Sequence, residues 1–296
     1  MLIAIIPAYN EERFIGSVVL KAKKYVDTVM VIDDGSKDLT AEIAHAAGAI
    51  VVRHETNRGK GAALNSGFEK ARELRAQAVV VLDGDGQHRA EDIPRMIQPV
   101  LDEKADMVVG SRFLGVTSDA PLYRKVGQKI MTLLTNATSG VKSTDSWSGF
   151  RAFSQKAIEA IKFREGGWGA DPEFQFQARE HNLRVSEIPI SAVYEEKAKR
   201  NPLTHGLKTV NAVIRLIGQH RPLLFLGVTG LIVLLAGLGC GAWVVESYRR
   251  YRVLAVGIAL ISVLLSVIGT FTFFTGIILH SVRGFFLEIK NDLPRR

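Results

Sequence analysis

A single cysteine, Cys240, stands in 296 residues, so no intramolecular disulfide can staple this chain. It lies inside an apolar run, where packing rather than chemistry is expected of it. The N-terminus "MLIAIIPAYNEE" has no basic stretch before its short apolar segment, which argues against a signal peptide. No G-x-G-x-x-G follows that segment, which argues against a dinucleotide enzyme. "NRGKGAALNSGF" is not a phosphate-binding Walker loop either, because Gly61 replaces the hydroxyl residue after Lys60. No nucleic-acid motif accompanies the net charge of +8, so an anionic membrane surface is the better partner for it and nucleic acid is excluded.

Charge is itself missing from two long stretches, "PLLFLGVTGLIVLLAGLGCGAWVV" (222–245) and "VLAVGIALISVLLSVIGTFTFFTGIIL" (253–279). About 20 apolar residues cross a bilayer as a helix, so the two runs predict transmembrane helices 222–245 and 253–279. Only "ESYRRYR" separates them, which predicts a tight hairpin with both flanks on one side. Lys208, Arg215 and Arg221 precede the hairpin and Arg283, Lys290, Arg295 and Arg296 follow it, against Arg249, Arg250 and Arg252 in the loop. That excess places the flanks inside. The expectation is a multi-pass protein of the cell membrane, with a cytoplasmic domain over 1–200, an interfacial helix over 201–221 and a cytoplasmic tail over 280–296. Glycines 227, 230, 237, 239 and 241 suit close helix packing in lipid, within one hairpin or between hairpins of a homo-oligomer.

The first two hundred residues alternate. Short β-branched runs "LIAII", "TVMVI", "AIVV", "AVVVL" and "DMVVG" are separated by helical patterns, among them "EERFIGSVVLKAKK" and "KGAALNSGFEKARELR". That order predicts an α/β fold with a doubly wound parallel sheet. In such sheets ligands bind beyond the carboxyl ends of the strands. After the first strand comes "PAYNEE", where Pro7 is expected to end the strand and Asn10 to cap the next helix. After the second comes "DDGSKD", in which Asp38 reads as a helix cap. After the fourth comes "DGDGQH". Its carboxylates and amide are the hard oxygen donors that suit Mg²⁺ or Mn²⁺ shared with phosphate oxygens, although Asp-Gly alone also makes a turn. His88 beside them reads equally well as a loop hydrogen bond. Glycines flanking Lys60 could bring its ammonium to an anion at a helix start, or serve only to begin the helix.

"IIPAYNEE", "VIDDGSKDLT", "NRGKGAALNSGF", "VLDGDGQH", "VVGSRF" and "DSWSGFRAF" stand in this order, and together they resemble the inverting family-2 glycosyltransferases of GT-A fold. With "PLYRK" and the apolar hairpin, the likeness is to the dolichyl- or polyprenyl-phosphate sugar synthases. It covers residues 1–200 well and the rest in outline. The resemblance implies transfer of a hexose from GDP-mannose or a UDP-sugar to dolichyl or polyprenyl phosphate, with inversion. It implies a nucleotide-sugar site from Pro7, Ala8, Tyr9, Glu11, Ile32, Asp34, Lys60, Asp83, Gly84 and Arg200, with Lys199 an alternative to the last. Asp83 and Asp85 match the family's D-x-D; Asp85 and Gln87 become metal ligands. Arg112 becomes a cation near the diphosphate and acceptor phosphate, and Arg124 and Lys125 a pair that holds the lipid phosphate. Where some relatives place a serine after "YRK", this chain has Gly127 and Gln128.

Leu122, Val126, Ile130 and Leu133 fall on one helical stripe with Arg124, Lys125 and Lys129 off it, a pattern shared by interfacial helices and by ordinary core-facing ones. A lipid monophosphate is already anionic near neutral pH and needs no general base. Asp145 is therefore expected to play a structural or sugar-orienting part, and Trp147 and Trp168 to pack. A processive polysaccharide synthase would carry Q-x-x-R-W, which is absent. A nucleotidyltransferase would carry a glycine-rich basic loop after the first strand, and "PAYNEE" is not one. A family-2 enzyme with another lipid or saccharide acceptor, and a non-catalytic nucleotide-binding membrane subunit, stay open.

Overall fold

The computed structural model describes residues 1–114, 122–163, 170–191 and 223–292, with 122–124, 283 and 286–292 by backbone alone. The chain divides into two compact units, Met1–Val213 and Ile214–Arg296. The first holds a seven-stranded sheet among its described residues: β1 (Leu2–Ala8), β2 (Thr28–Asp33), β3 (Ile50–Arg53), β4 (Ala78–Val81), β5 (Met107–Ser111), β6 (Arg151–Ser154) and β7 (Val185–Pro189). Their spatial order is β3-β2-β1-β4-β6-β5-β7.

Strand alternation builds two cores. Ala4, Ile6, Val29, Val31 and Val80 point to one face, beneath α1 (Ile15–Ala22) and α4 (Ile93–Leu101). Ile3, Ile5, Met30, Ile32 and Val79 point to the other, beneath α3 (Lys60–Glu73), α6 (Gln155–Ala160) and α7 (Ala170–Glu180). Both faces are thus covered, as a largely parallel sheet requires. Two strands escape the sequence reading. β6 runs antiparallel between β4 and β5, and β7 adds the edge beside β5. The reversal of β6 matters for function. Its N-terminal end lies where β4 and β5 exit, so the loop entering β6 joins the carboxyl-end loops.

Three local expectations are corrected. β1 does not end at Pro7 but runs through it to Ala8. The Ile5 carbonyl accepts from Leu82 N at 3.2 Å, so Pro7 faces the same side two residues on, past the end of β4, where no ladder needs its missing N–H. Asn10 does not cap α1, which begins at Ile15. Its side chain instead accepts from Lys37 N at 2.9 Å, and its own N–H donates to Ser36 Oγ at 2.9 Å. Asp38 lies one residue before Leu39, the N-cap of α2 (Thr40–Ala46), so it does not occupy the cap itself, although its carboxylate accepts from Thr40 N at 3.1 Å.

Helix α5 (Leu122–Ser139) resolves the ambiguous stripe. Thr132, Thr135, Thr138 and Ser139 are buried, whereas Val126, Ile130, Leu133 and Leu134 are exposed. The hydroxyl face packs on the protein and the apolar face looks outward, beside Lys125 and Lys129. A core-facing reading of that stripe is thereby excluded.

In the second unit a π-helical turn (Leu223–Gly227) leads into an apolar helix, Val228–Tyr251, followed by another, Val256–Asp292. The helix through Tyr251 shortens the expected seven-residue loop to Arg252–Ala255, with Arg252 at φ 56°. The second helix runs on past 279. Leu223–Tyr251 and Val256–Val282 are long and apolar enough to cross a membrane, with mean hydropathies of 2.5 and 2.3. Small residues set their spacing. A methyl at Gly230 would strike Phe273 N, and one at Gly269 would strike Leu234 N. Ser262 Oγ donates to the Gly237 carbonyl at 2.7 Å across the pair. Leu235, Leu264 and Phe271 face outward, a surface that hydrocarbon would cover.

Candidate active site

The loops at the carboxyl ends of β1 to β4 are woven together by their own polar groups. The loop after β1 clasps the loop after β2. Glu11 N donates to Thr40 Oγ1 at 2.8 Å, Glu12 N to Asp38 at 3.2 Å, and Leu39 N to Glu12 at 3.1 Å. Asp34, at the end of β2, reaches the loop after β3. Its Oδ1 accepts from Arg58 N at 2.9 Å and lies 2.8 Å from His54 Nδ1, while Oδ2 accepts from Gly59 N at 2.7 Å. Gly35 makes this close approach possible: it sits at φ 75°, and a Cβ there would meet the Thr56 carbonyl carbon at 2.7 Å. Asp34 therefore fixes the residues that launch α3, and α3 begins with Lys60.

Lys60 Nζ sits between two carboxylates, 2.7 Å from Asp83 Oδ1 and 2.8 Å from Asp171 Oδ1. Partial burial alone would lower its pKa, but Asp171 and Asp83 overrule it and hold it above the ordinary lysine value. Burial likewise opposes the charge of Asp83, yet Lys60 and His88 keep that carboxyl far below the usual range. Asp85 is the opposite case. Burial, with the charge of Asp83 added, pushes its carboxyl up. Its oxygens accept from Gln87 Nε2 at 2.7 Å and Gln87 N at 3.1 Å. Of the two aspartates, one is already matched to a protein cation and the other is not.

A divalent cation fits this donor set. Among the described residues no three His, Cys, Asp or Glu converge to hold an ion by themselves. Asp85, with the Gln87 amide beside it, offers hard oxygen for part of a shell, leaving the rest to a ligand's oxygens. The carboxylate whose charge the site makes costly is the one a cation would stabilise.

The loop entering β6 supplies the other half. Asp145, fully buried, grips Arg112 with a fork: Nε to Oδ2 at 2.7 Å and Nη2 to Oδ1 at 2.9 Å. Further along, a Cβ on Gly149 would collide with the Asp83 carboxylate and lie 2.8 Å from Lys60 Nζ. Arg151, completely buried, ties the loop down. It donates to the carbonyls of Ser148 (2.9 Å), Ser146 (2.8 Å) and Asp171 (2.9 Å), with its guanidinium over the Phe174 ring. Burial pushes its pKa down to about 10, against the pull of Asp171 and Asp145.

Pro7, Ala8, Tyr9, Glu11, Asp34, Lys60, Asp83, Gly84, Asp85 and Gln87 all belong to the carboxyl-end loops or the residues beside them. Ile32 is corrected. Its side chain is fully buried and packs under α3. Arg124 falls where only the backbone is described, while Lys125 is partly buried on α5. Lys199, Arg200, Trp168 and the 201–221 helix lie outside the described residues. Asp171, Gly149, Arg151 and Glu187 were not singled out from the sequence. The signal for Asp171 was its place in the first turn of a helix, but nothing local says which cation it meets.

The comparisons bear on the family and the fold. The model of glycosyl transferase family 2 matches residues 3–162. The UDP-N-acetylglucosamine–dolichyl-phosphate N-acetylglucosaminyltransferase of Methanococcus voltae is 34% identical, over 66% of this chain and 87% of that protein. The undecaprenyl-phosphate mannosyltransferase of Micrococcus luteus is 30% identical, over 66% of this chain and 84% of that one. Among solved structures, the glucosyl-3-phosphoglycerate synthase of Mycobacterium tuberculosis superposes with a TM-score of 0.59 at 22% identity, covering 74% of this chain and 78% of that one. A mostly parallel sheet of GT-A type, a D-x-D at the end of β4 and a match over more than half the chain converge on one statement: this chain belongs to glycosyl transferase family 2.

Proposed function

We propose that this enzyme transfers a sugar from a nucleoside diphosphate to the phosphate of a dolichyl- or polyprenyl-type lipid, with inversion, at a membrane in which its two apolar helices anchor it. The observation that carries the reading is the commitment of the site's carboxylates. Asp83 and Asp171 are held by Lys60, Asp145 by Arg112, and Asp34 by backbone amides and His54, while Asp85 is the carboxylate assigned to the metal. A sugar hydroxyl would need one of them as a base. A phosphate monoester attacks without one.

The loops after β1 and β2 receive the base and ribose. Lys60 lowers the cost of bringing a diphosphate beside Asp83, and Arg112 presents its guanidinium to the anions that meet there. A Mg²⁺ or Mn²⁺ ion held by Asp85 and Gln87 would supply Lewis-acid stabilisation of the departing nucleoside diphosphate. Both relatives quoted above are named for lipid-phosphate acceptors but for different sugars, which supports the acceptor and leaves GDP-mannose and a UDP-sugar both as donors. The exposed apolar face of α5, flanked by Lys125 and Lys129, meets the lipid surface.

The acceptor side is testable. Changing Arg124 and Lys125 together to Ala should raise the KM for a short, soluble polyprenyl phosphate in detergent by about tenfold or more, roughly 1.4 kcal/mol. Nucleoside diphosphate binding should hardly change. An unaltered acceptor KM would remove both residues from the site and leave Arg112 as the phosphate's cation.

A further inference from the structure

Arg112 is held in place from two strands away. Its Nε–Nη2 edge is taken by Asp145, whose Oδ2 also accepts from Arg112 N at 3.2 Å. Asp145 is itself held. Its N–H donates to Ser143 Oγ at 3.1 Å. Ser143 Oγ in turn donates to Glu187 Oε1 at 2.6 Å. Thr144 adds two more bonds to the same carboxylate, from N at 2.8 Å and from Oγ1 at 2.9 Å. Ser111, the residue before Arg112, closes the ring through its hydroxyl, 2.6 Å from Thr144 Oγ1. Glu187 lies on β7 and Ser111 ends β5, paired in parallel.

We propose that Glu187 and Asp145 form a brace that sets the direction of Arg112, making them positioning residues for the recognition of a phosphate anion. Glu187 fixes the Ser143–Thr144 corner, the corner fixes Asp145, and Asp145 fixes the guanidinium by one edge. By holding the Nε–Nη2 edge, Asp145 sets the plane in which the guanidinium meets an incoming phosphate oxygen. A loop braced only for stability would need no buried carboxylate matched in fork geometry to a partly exposed arginine. The brace rests on the proposed role of Arg112, and the experiment separates the two.

Transfer would be measured for Asp145→Asn, Glu187→Gln and Arg112→Gln in the full-length protein, and for each carboxylate change combined with Arg112→Gln, with thermal midpoints recorded. Misplacing a reacting group by about 1 Å costs on the order of a hundredfold, so Asp145→Asn should lower kcat by about that factor and Glu187→Gln by about tenfold. The KM for the nucleotide sugar should stay within about twofold of the unsubstituted enzyme's. In the Arg112→Gln background both carboxylate changes should cost less than about threefold. Equal losses in both backgrounds would overturn the brace, since the carboxylates would then act without Arg112. So would unchanged turnover in either carboxylate variant. If Asp145→Asn does not fold, Glu187→Gln, which leaves the buried ion pair intact, decides alone by the same comparison. Full activity of Arg112→Gln itself would defeat the proposed role of Arg112 instead.

Discussion

Asp85→Asn is expected to reduce transfer by at least about a hundredfold while leaving the protein as stable as before, or slightly more so. The two halves of that result have one cause. Burial and the neighbouring charge of Asp83 make an ionised Asp85 costly, so a neutral group of the same shape removes a repulsion from the folded state. The same change removes the carboxylate that a hard cation would use, and an amide is a poorer ligand. Titration of the purified variant with Mn²⁺, followed by the spin-resonance signal of the free ion, should show weakened binding beside an unchanged or raised thermal midpoint. Strong Mn²⁺ binding and near-normal turnover in the variant would remove Asp85 from the metal site.

Gly149→Ala should be nearly as damaging for a different reason. Gly149 is not in the left-handed region, so its backbone tolerates a side chain, and the obstacle is only what the methyl would meet. The Asp83 carboxylate lies in its way and Lys60 Nζ is 2.8 Å off. Neither can retreat freely, because Lys60 is tied to Asp83 at 2.7 Å and to Asp171 at 2.8 Å. Turning Asp83 aside should cost about a hundredfold in turnover and about 1–3 kcal/mol of stability from overpacking. Gly127→Ala on α5, where a Cβ meets nothing within 4 Å, is the matched control and should fold and turn over normally. Turnover by Gly149→Ala equal to that of the control would show that the Lys60–Asp83 pair has no part in the reaction.

What the sequence made legible follows from where each signal is stored. The first five strands announce themselves because β-branched runs followed by acidic or glycine turns are local patterns, and so do the loops that follow them. The D-x-D could be placed at a strand end without knowing any neighbour. β6 could not be placed so easily. "RAFS" is only four residues long, and its direction is fixed by pairing with β4 and β5, which are distant in sequence. With it went the reason why "DSWSG" reaches the site. Lys60 was visible as a cation near a helix start, but its partner Asp171 stands over a hundred residues later on α7. Asp34 was placed correctly at a strand end, yet its tie to the amides of Arg58 and Gly59 is a matter of loop contact. The stripe on α5 shows the same limit. Periodicity found the apolar face, but only the buried hydroxyls of Thr132 and Thr135 reveal that this face is turned away from the protein.

The central claim is a phosphate acceptor, proposed because the carboxylates around the strand ends are held by protein groups, as Asp34, Asp83, Asp145 and Asp171 are, or assigned to the metal, as Asp85 is. The measurement that reaches it directly compares two acceptors of identical chain length, a polyprenyl phosphate and the corresponding polyprenol, with the full-length protein in detergent. Each would be offered a panel of GDP- and UDP-sugars in the presence of Mg²⁺ or Mn²⁺. Product should form from the phosphate alone, carrying the sugar in the anomeric configuration opposite to that of the donor. Glycosylation of the polyprenol at a comparable rate, or retention of the donor's configuration, would mean that a base or a nucleophile operates in this site, and the account would be wrong.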